Sequence, residues 1–136
     1  MENSPTWICV VALAARDGEG RLLLQKRPIG KHHGGLWEFP GGKVEPFEKP
    51  AEALVREIAE ELQIIVEETG LIPAGFAQEA GRNDQRQIVL LLYTATTWAG
   101  EIRGLDGQEW GWFTLSDAAG LDLAPMDRQL LAGLSR

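Results

Sequence analysis

Three glutamates, Glu57, Glu60 and Glu61, are concentrated in a segment that has helical periodicity. Pro50 suits the first turn of this helix, and an apolar stripe follows it: Ala51, Leu54, Val55, Ile58 and Leu62. On this helix Glu57 and Glu61 share one flank, and Glu60 lies about a third of a turn away. Like charges at this spacing destabilise an isolated helix by about 0.2–0.5 kcal/mol per pair. A divalent cation such as Mg²⁺, which prefers oxygen ligands, would offset that repulsion, so the glutamates predict a metal site.

The alternative is a solvated acidic helix face, which is the ordinary interpretation of a bare Glu-x-x-Glu-Glu pattern. Two neighbouring features favour the metal site. The pair Gly41-Gly42 precedes the helix and could present backbone carbonyls to a cation. Arg56 stands beside the acids, where a charge-assisted pair could orient a carboxylate.

The whole stretch from Gly42 to Ile64 resembles the Nudix box, the signature of a family of phosphoanhydride hydrolases. The matching residues are Gly42, Glu48, Arg56, Glu57, Ile58, Glu60, Glu61 and Ile64. Gln63 departs from the pattern, since the family has glycine there. The segment 37–45, Trp-Glu-Phe-Pro-Gly-Gly-Lys-Val-Glu, is similar to the MutT-type branch, which removes oxidised nucleotides. Phe47 stands where that branch commonly has glycine.

The resemblance implies an α/β (α+β) fold, an α/β/α sandwich around a mixed sheet, formed by residues 1–136 as a single Nudix domain. It also implies roles in the box. Glu57, Glu60 and Glu61, with the Gly42 carbonyl, would hold Mg²⁺, for which Mn²⁺ could substitute. Glu57 would activate the attacking water, and Arg56 and Glu48 would orient the carboxylates.

Four positions outside the box, Arg27, Phe39, Asp106 and Asp127, match the same branch, and His32 is a further candidate for the site. Asp106 would supply one more metal or water contact, although the branch usually has the longer Glu; otherwise it is a loop residue. Arg27 would lie near the nucleotide, or be an exposed residue at a strand end. Phe39 would stack on the base or belong to the core, and His32 would line the nucleotide pocket. Asp127 would read the base edge, or be a helix cap; as an ionised acceptor it favours guanine-type bases, which present N–H donors.

Composition limits the other classes of function. The chain has 136 residues and is 44% hydrophobic. Its formal net charge of −7 argues against a general nucleic-acid binder. The same charge fits a site that recruits a cation before its anionic substrate. A single cysteine, Cys9, excludes an intramolecular disulfide. The apolar run 7–13 is too short to span a bilayer and lacks a preceding basic segment, so we interpret it as a strand of a cytoplasmic protein without membrane contact. The pair His32-His33 lacks the ligand spacing of a zinc site.

The remaining pattern predicts strands and helices that would build this fold. We expect strands 6–15 and 22–26 to form a hairpin, a short extended segment at 36–39, and further strands at 64–66, 74–78, 87–97 and 111–113. Residues 81–86 would form a polar turn. The near-continuous apolar character of 87–97 predicts a central strand buried on both faces. Helices are expected at 115–119 and 126–134, with Ser116 and Asp127 as caps.

Several functions stay open at this point. The first is hydrolysis of 8-oxo-dGTP, or of another modified or pyrimidine triphosphate, to a nucleoside monophosphate and pyrophosphate. The second is a Nudix enzyme for ADP-ribose or a dinucleoside polyphosphate. A non-catalytic Nudix domain that binds a ligand, or a plain acidic structural domain, would not need all three box glutamates, which are present here. The expected partner is a small nucleotide, and the sequence leaves monomer and homodimer open.

Overall fold

A computed structural model describes residues 6–31, 33–81, 87–103 and 108–134. Its strands are β1 (Trp7–Ala15), β2 (Leu22–Lys26), β3 (Trp37–Glu38), β4 (Gly41–Lys43), β5 (Ile72–Glu79), β6 (Gln87–Ala95) and β7 (Trp110–Phe113). Its helices are α1 (Pro50–Leu62), α2 (Leu115–Ala119) and α3 (Pro125–Ala132), with one 3₁₀ turn at Glu68–Gly70.

The strands form two sheets with helices packed on both sides. The four-stranded sheet has the order β4-β1-β6-β5, and the three-stranded sheet has the order β3-β2-β7. Strands β1 and β6 are parallel whereas the other pairs are antiparallel, so the larger sheet is mixed. Alternate residues of β1 face opposite layers: Val11 and Leu13 pack with α1, whereas Ala12 and Ala14 pack with α2 and α3. The expected α/β/α sandwich is confirmed.

Helix α1 begins and ends close to where its apolar stripe does. Pro50 occupies the first turn, and the Glu52 carboxylate accepts a hydrogen bond from the Lys49 N–H at 3.0 Å. Leu54, Ile58 and Leu62 are fully buried against the sheet. Because this face is buried, the opposite flank is free to carry charged residues.

The predicted hairpin of β1 and β2 is wrong. The two strands belong to different sheets and are joined by a bridge between Arg16 and Leu22, with a turn bond from the Asp17 N–H to the Arg21 carbonyl. The reason is that β4 and β6 already occupy both edges of β1. Strand β2 therefore pairs with β3 and β7, which brings it beside the candidate site.

Three smaller expectations also need correction. The run 64–66 forms no strand: Ile64 and Val66 are buried, and Ile65 makes an isolated bridge with Ala99, so the β-branched pattern indicated burial and not sheet pairing. Thr114, not Ser116, caps α2 by accepting a hydrogen bond from the backbone of the third helical residue. Ala124 precedes α3, and Asp127 does not cap it.

Strand β6 is central, as expected, because β1 and β5 flank it. It ends at Ala95 and is only partly buried: Leu90 and Leu92 are buried on the α3 side, while Val89 and Leu91 on the α1 side are half-buried. The predicted polar turn 81–86 lies outside the described residues from position 82 onward.

Gln63 ends α1 in the left-handed region, with φ 59° and ψ 31°, and its N–H donates to the Ala59 carbonyl. The exit from the helix therefore keeps the conformation for which the Nudix pattern uses glycine. A side chain with a Cβ is strained there, whereas glycine is not. Phe47, at the second departure from the pattern, also has a positive φ of 67°.

We expect Gln63→Gly to raise the free energy of unfolding by about 0.5–1 kcal/mol, because relief of strain exceeds the entropy that glycine adds to the unfolded chain. Thermal denaturation would show a melting temperature higher by about 2–4 °C. Gln63→Ala is the matched control, since alanine keeps the strained Cβ and should give no such gain. Equal melting temperatures for the glycine and alanine variants would contradict the strain argument.

Candidate active site

Strand β4 brings the glycine pair directly against the acidic flank of α1. Gly42 pairs with Val11 of β1, and its Cα lies beside the end of the Glu57 side chain. A Cβ built on Gly42 would overlap the carboxyl group of Glu57. Glycine at this position therefore leaves the space that the carboxylate occupies.

Arg56 ties the loop after β4 to the helix. Its Nε and Nη2 atoms donate to the two carboxylate oxygens of Glu48 at 2.8 and 2.9 Å. Its Nη1 donates to Glu57 Oε1 at 3.0 Å, and Nη2 also donates to the Lys43 carbonyl at 3.0 Å. These hydrogen bonds from Arg56, with one from the Glu45 backbone, lower the pKa of Glu48 to about 2. Arg56 and Glu48 thus restrain the Glu57 carboxylate from one side.

Glu61 lies where carboxylates crowd. Burial raises its pKa to about 7, and repulsion from Glu38 and Glu57 acts in the same direction. Hydrogen bonds from the Gln25 side chain and the Gly41 backbone oppose this rise. Glu38, Glu57 and Glu61 therefore form one acidic cluster around the end of β4.

Glu38, in β3, connects this cluster to Arg27. Arg27 Nη1 donates to Glu38 Oε1 at 3.0 Å, while burial raises the pKa of the Glu38 carboxyl. Gln25 Nε2 donates to Glu38 Oε2 at 3.4 Å and to Glu61 Oε2 at 3.1 Å. The sequence motifs did not identify Gln25 or Glu38 as site residues. The signal for Gln25 was a polar side chain directly after the apolar run Leu22–Leu24.

Glu60 occupies a different environment. Its side chain is 61% exposed against 16% for Glu57, and its carboxylate lies 3.6 Å from Arg56 Nη1. In the ranges that the structure describes, no three His, Cys, Asp or Glu side chains converge on one point as a formed cation site. Arg56 contacts Glu57 and Glu60, whereas Gln25 donates to Glu61, so the three box glutamates have different partners.

The chemistry of this donor set nevertheless fits a hard divalent cation. Its side-chain donors are carboxylates, the ligand type that Mg²⁺ prefers, and the described residues place no thiol among them. The repulsion between Glu38, Glu57 and Glu61 is the kind that a bound cation relieves. The space at Gly42 allows the Glu57 carboxylate to lie at the centre of the group.

A pocket of about 430 Å³ adjoins the cluster at Glu38 and Gly42. This volume falls in the range of small-molecule sites. Arg27, Phe39 and Asp127 line the same pocket, so the structure brings these three predicted residues together. Its remaining wall is mostly apolar: Ile8, Val10, Ala12, Ile88, Leu90, Ala124 and Met126.

Two of these pocket residues are also structural. Phe39 is 3% exposed and packs in the core, so its ring is both a core residue and part of the pocket wall. Asp127 is 5% exposed, and its Oδ1 accepts a hydrogen bond from the Phe39 N–H at 2.9 Å. Burial raises the pKa of Asp127 to about 7, so near neutral pH the carboxyl is present in both forms and not only as the ionised acceptor expected from sequence.

Two predicted site residues, His32 and Asp106, lie outside the described residues. The neighbouring His33 does line the pocket, and its Nε2 is 3.4 Å from Glu79 Oε1. Nothing in the sequence distinguished this histidine from the one before it.

None of the helices in the described ranges is long and apolar enough to cross a membrane.

Comparison with known proteins agrees with this geometry. The NUDIX domain family model matches residues 6–134. The chain is 36% identical to a CTP pyrophosphohydrolase of Escherichia coli K12 over 90% of its own length and 86% of the relative's. It is 31% identical to an 8-oxo-dGTP diphosphatase of the same organism, over 89% and 91%. The crystal structure of a MutT NUDIX hydrolase from Burkholderia pseudomallei superposes with a TM-score of 0.85 at 29% identity, covering 96% of this chain and 99% of that one. With Glu57 and Glu61 beside the glycine pair and a pocket adjoining them, this chain belongs to the Nudix family and is a Nudix hydrolase.

Proposed function

We propose that the enzyme hydrolyses a modified nucleoside triphosphate to a nucleoside monophosphate and pyrophosphate, and that 8-oxo-dGTP is its preferred substrate. The observation that carries the proposal is the position of the pocket. Glu38 and Gly42 line it, and Glu38 belongs to the acidic cluster while Gly42 lies against Glu57 of that cluster. A base held between Arg27, Phe39 and Asp127 would leave its phosphate chain free to extend towards the glutamates.

The relatives support a triphosphate substrate. One is named an 8-oxo-dGTP diphosphatase and another a CTP pyrophosphohydrolase, and both names specify nucleoside triphosphates. They differ in the base, so the base preference of this chain has to be argued from its own pocket. ADP-ribose and dinucleoside polyphosphates are the alternative substrates.

Nudix hydrolases generally use divalent metal cations. We assign Mg²⁺ here, with Mn²⁺ as a substitute, on the carboxylate donors. Glu57, Glu60, Glu61 and the Gly42 carbonyl would hold it, and Asp106 is a further candidate. When bound, the ion polarises phosphate oxygens and lowers the pKa of a coordinated water.

The other catalytic roles are assigned to residues that the structure describes. Glu57 would accept the proton of the attacking water, since it is the box glutamate beside the glycine pair and is largely buried. Arg56 limits the rotation of that carboxylate, and Glu48 fixes Arg56 through two hydrogen bonds. Arg27, held by Glu38 on the pocket wall, would provide positive charge near the nucleotide.

A hydrolysis screen with product identification tests the proposal. Purified enzyme with Mg²⁺ would be incubated with 8-oxo-dGTP, dGTP, CTP, dCTP, dATP, ADP-ribose and diadenosine tetraphosphate. The expected result is monophosphate and pyrophosphate from 8-oxo-dGTP, at the highest kcat/KM of the panel. Preferred cleavage of ADP-ribose or the dinucleoside compound would overturn the triphosphate assignment, and preference for CTP would overturn the base assignment alone.

The protonation state of Asp127 provides a sharper test of whether this residue determines the preference for the base. Below pH 7 the carboxyl is mostly protonated and can donate, whereas above pH 7 it is mostly ionised and only accepts. Guanine-type bases present N–H donors, while adenine and cytosine present a ring-nitrogen acceptor beside their amine. The ratio of kcat/KM for 8-oxo-dGTP to that for dATP should therefore rise between pH 6 and pH 8.

Two variants give the magnitude and the control. Asp127→Ala removes a charge-assisted bond worth about 1.5–3 kcal/mol, so the ratio at pH 8 should fall by about tenfold or more. Asp127→Asn keeps the shape without titrating, so its ratio should not change with pH. An unchanged substrate ranking in Asp127→Ala would mean that Asp127 only anchors the Phe39 backbone.

A further inference from the structure

Gln25 is a buried amide in an otherwise apolar strand. It is 2% exposed, and Leu22, Leu23 and Leu24 before it are fully buried. Its position in β2 pairs with Glu38 of β3 on one side and Trp110 of β7 on the other. Burying an amide without partners costs about 1–3 kcal/mol, so a purely structural position would favour a fourth apolar residue.

The contacts of Gln25 are directed at two carboxylates. Its Nε2 lies 3.1 Å from Glu61 Oε2 and 3.4 Å from Glu38 Oε2. An amide nitrogen carries two hydrogens, so it can donate to both carboxylates at once. Arg27 donates to the other oxygen of Glu38. Hydrogen bonds therefore run without a break from Arg27 in the pocket through Glu38 and Gln25 to Glu61 on α1.

The neutral charge of the amide is important. An apolar residue would leave Glu38 and Glu61 facing each other with one donor fewer. A lysine would supply donors but would also place a positive charge where the proposed cation binds. A neutral donor holds two carboxylates side by side and leaves their combined negative charge available to a cation.

From this geometry we infer that Gln25 is a positioning residue, whose amide orients the proposed ligand Glu61 for a divalent cation and fixes Glu38 beside it. The inference rests on the metal-dependent function proposed above. It predicts that the affinity for the cation depends on a side chain that does not itself bind it. Groups that orient metal ligands typically contribute about 10–100-fold to metal affinity or activity.

The test is Mn²⁺ binding without nucleotide, measured by electron paramagnetic resonance on the full chain. Gln25→Met keeps the length of the side chain and removes the donor, and we expect a Kd about tenfold weaker. Gln87→Met is the control. Gln87 is a half-buried glutamine that pairs with Trp7 at the start of β1, whereas Gly42 pairs with Val11, four residues further along that strand. The Kd of this control variant should equal that of the wild type. Thermal melting of both variants separates loss of stability from loss of affinity.

A folded Gln25→Met protein with wild-type Mn²⁺ affinity would overturn the inference. If that variant does not fold, the test is made on the wild-type protein. The side-chain amide signals of Gln25 in a ¹⁵N spectrum should shift as Mg²⁺ is added, and the Kd fitted to these shifts should equal the Kd of the protein for Mg²⁺. Signals that stay unchanged at saturation would equally refute it. Wild-type protein that binds Mn²⁺ but hydrolyses no triphosphate would instead refute the proposed function alone.

Discussion

Replacement of Glu57 by glutamine is expected to slow hydrolysis by about 10²-fold or more, the scale of a positioned catalytic base. The amide can neither accept a proton from water nor bind a cation as a carboxylate does. Glutamine has nearly the same shape, and Glu57 lies on the charged flank of α1, outside the buried stripe. The fold should therefore survive, with a similar circular dichroism spectrum and melting temperature.

The measurement is kcat and KM at saturating Mg²⁺, so that weaker metal binding does not hide the effect on the chemical step. A fall in kcat with little change in KM would identify a group that acts in the transition state. Glu68→Gln is a matched control, since Glu68 is exposed in the 3₁₀ turn and outside the cluster. Near-normal turnover of Glu57→Gln would remove Glu57 from the catalytic role.

The sequence predicted the elements that depend on local pattern. The stripe of α1 and the proline at its start are local features, so the helix and the flank shared by Glu57 and Glu61 followed from spacing alone. The box also pointed to Arg56 and Glu48, which lie eight residues apart and meet because Arg56, in the second turn of α1, reaches back to the loop that precedes the helix.

The parts that the sequence did not predict depend on which strands pair. A hairpin of β1 and β2 was the simplest local solution, but β1 has partners on both edges, so β2 joins the other sheet. That pairing places Gln25 opposite Glu38 and within reach of Glu61. No spacing along the chain encodes this contact.

Asp127 shows a second property that could not be predicted from the sequence, its protonation state. Its residue type predicted an acceptor, and its place near a helix start predicted a cap. The acceptor interpretation assumes an ionised carboxylate, whereas the fold buries Asp127 against the Phe39 backbone and raises its pKa to about 7. Burial is a property of the packed molecule, so the protonation that decides hydrogen-bond donation could be obtained only from the structure.

Removal of divalent cations should abolish hydrolysis, and this is the largest effect that we expect. Without a cation, Glu38, Glu57 and Glu61 repel one another beside the pocket, and a phosphate chain would add further negative charge. The net charge of −7 offers no general attraction that could compensate. Treatment with excess EDTA should therefore stop turnover, and Mg²⁺ or Mn²⁺ in excess of the chelator should restore it.

The same repulsion gives a second measurement that needs no substrate. A cation that binds the folded protein stabilises it in proportion to the logarithm of its concentration, by about 1.4 kcal/mol at ten times its Kd. The melting temperature of EDTA-treated protein should rise on addition of Mg²⁺, and Na⁺ at equal ionic strength should not reproduce the rise, because screening acts on exposed charges more than on buried ones. Gln25→Met should need more Mg²⁺ for the same shift. Full activity in excess EDTA, or a melting temperature that responds equally to Na⁺ and Mg²⁺, would contradict a cation site at the acidic cluster.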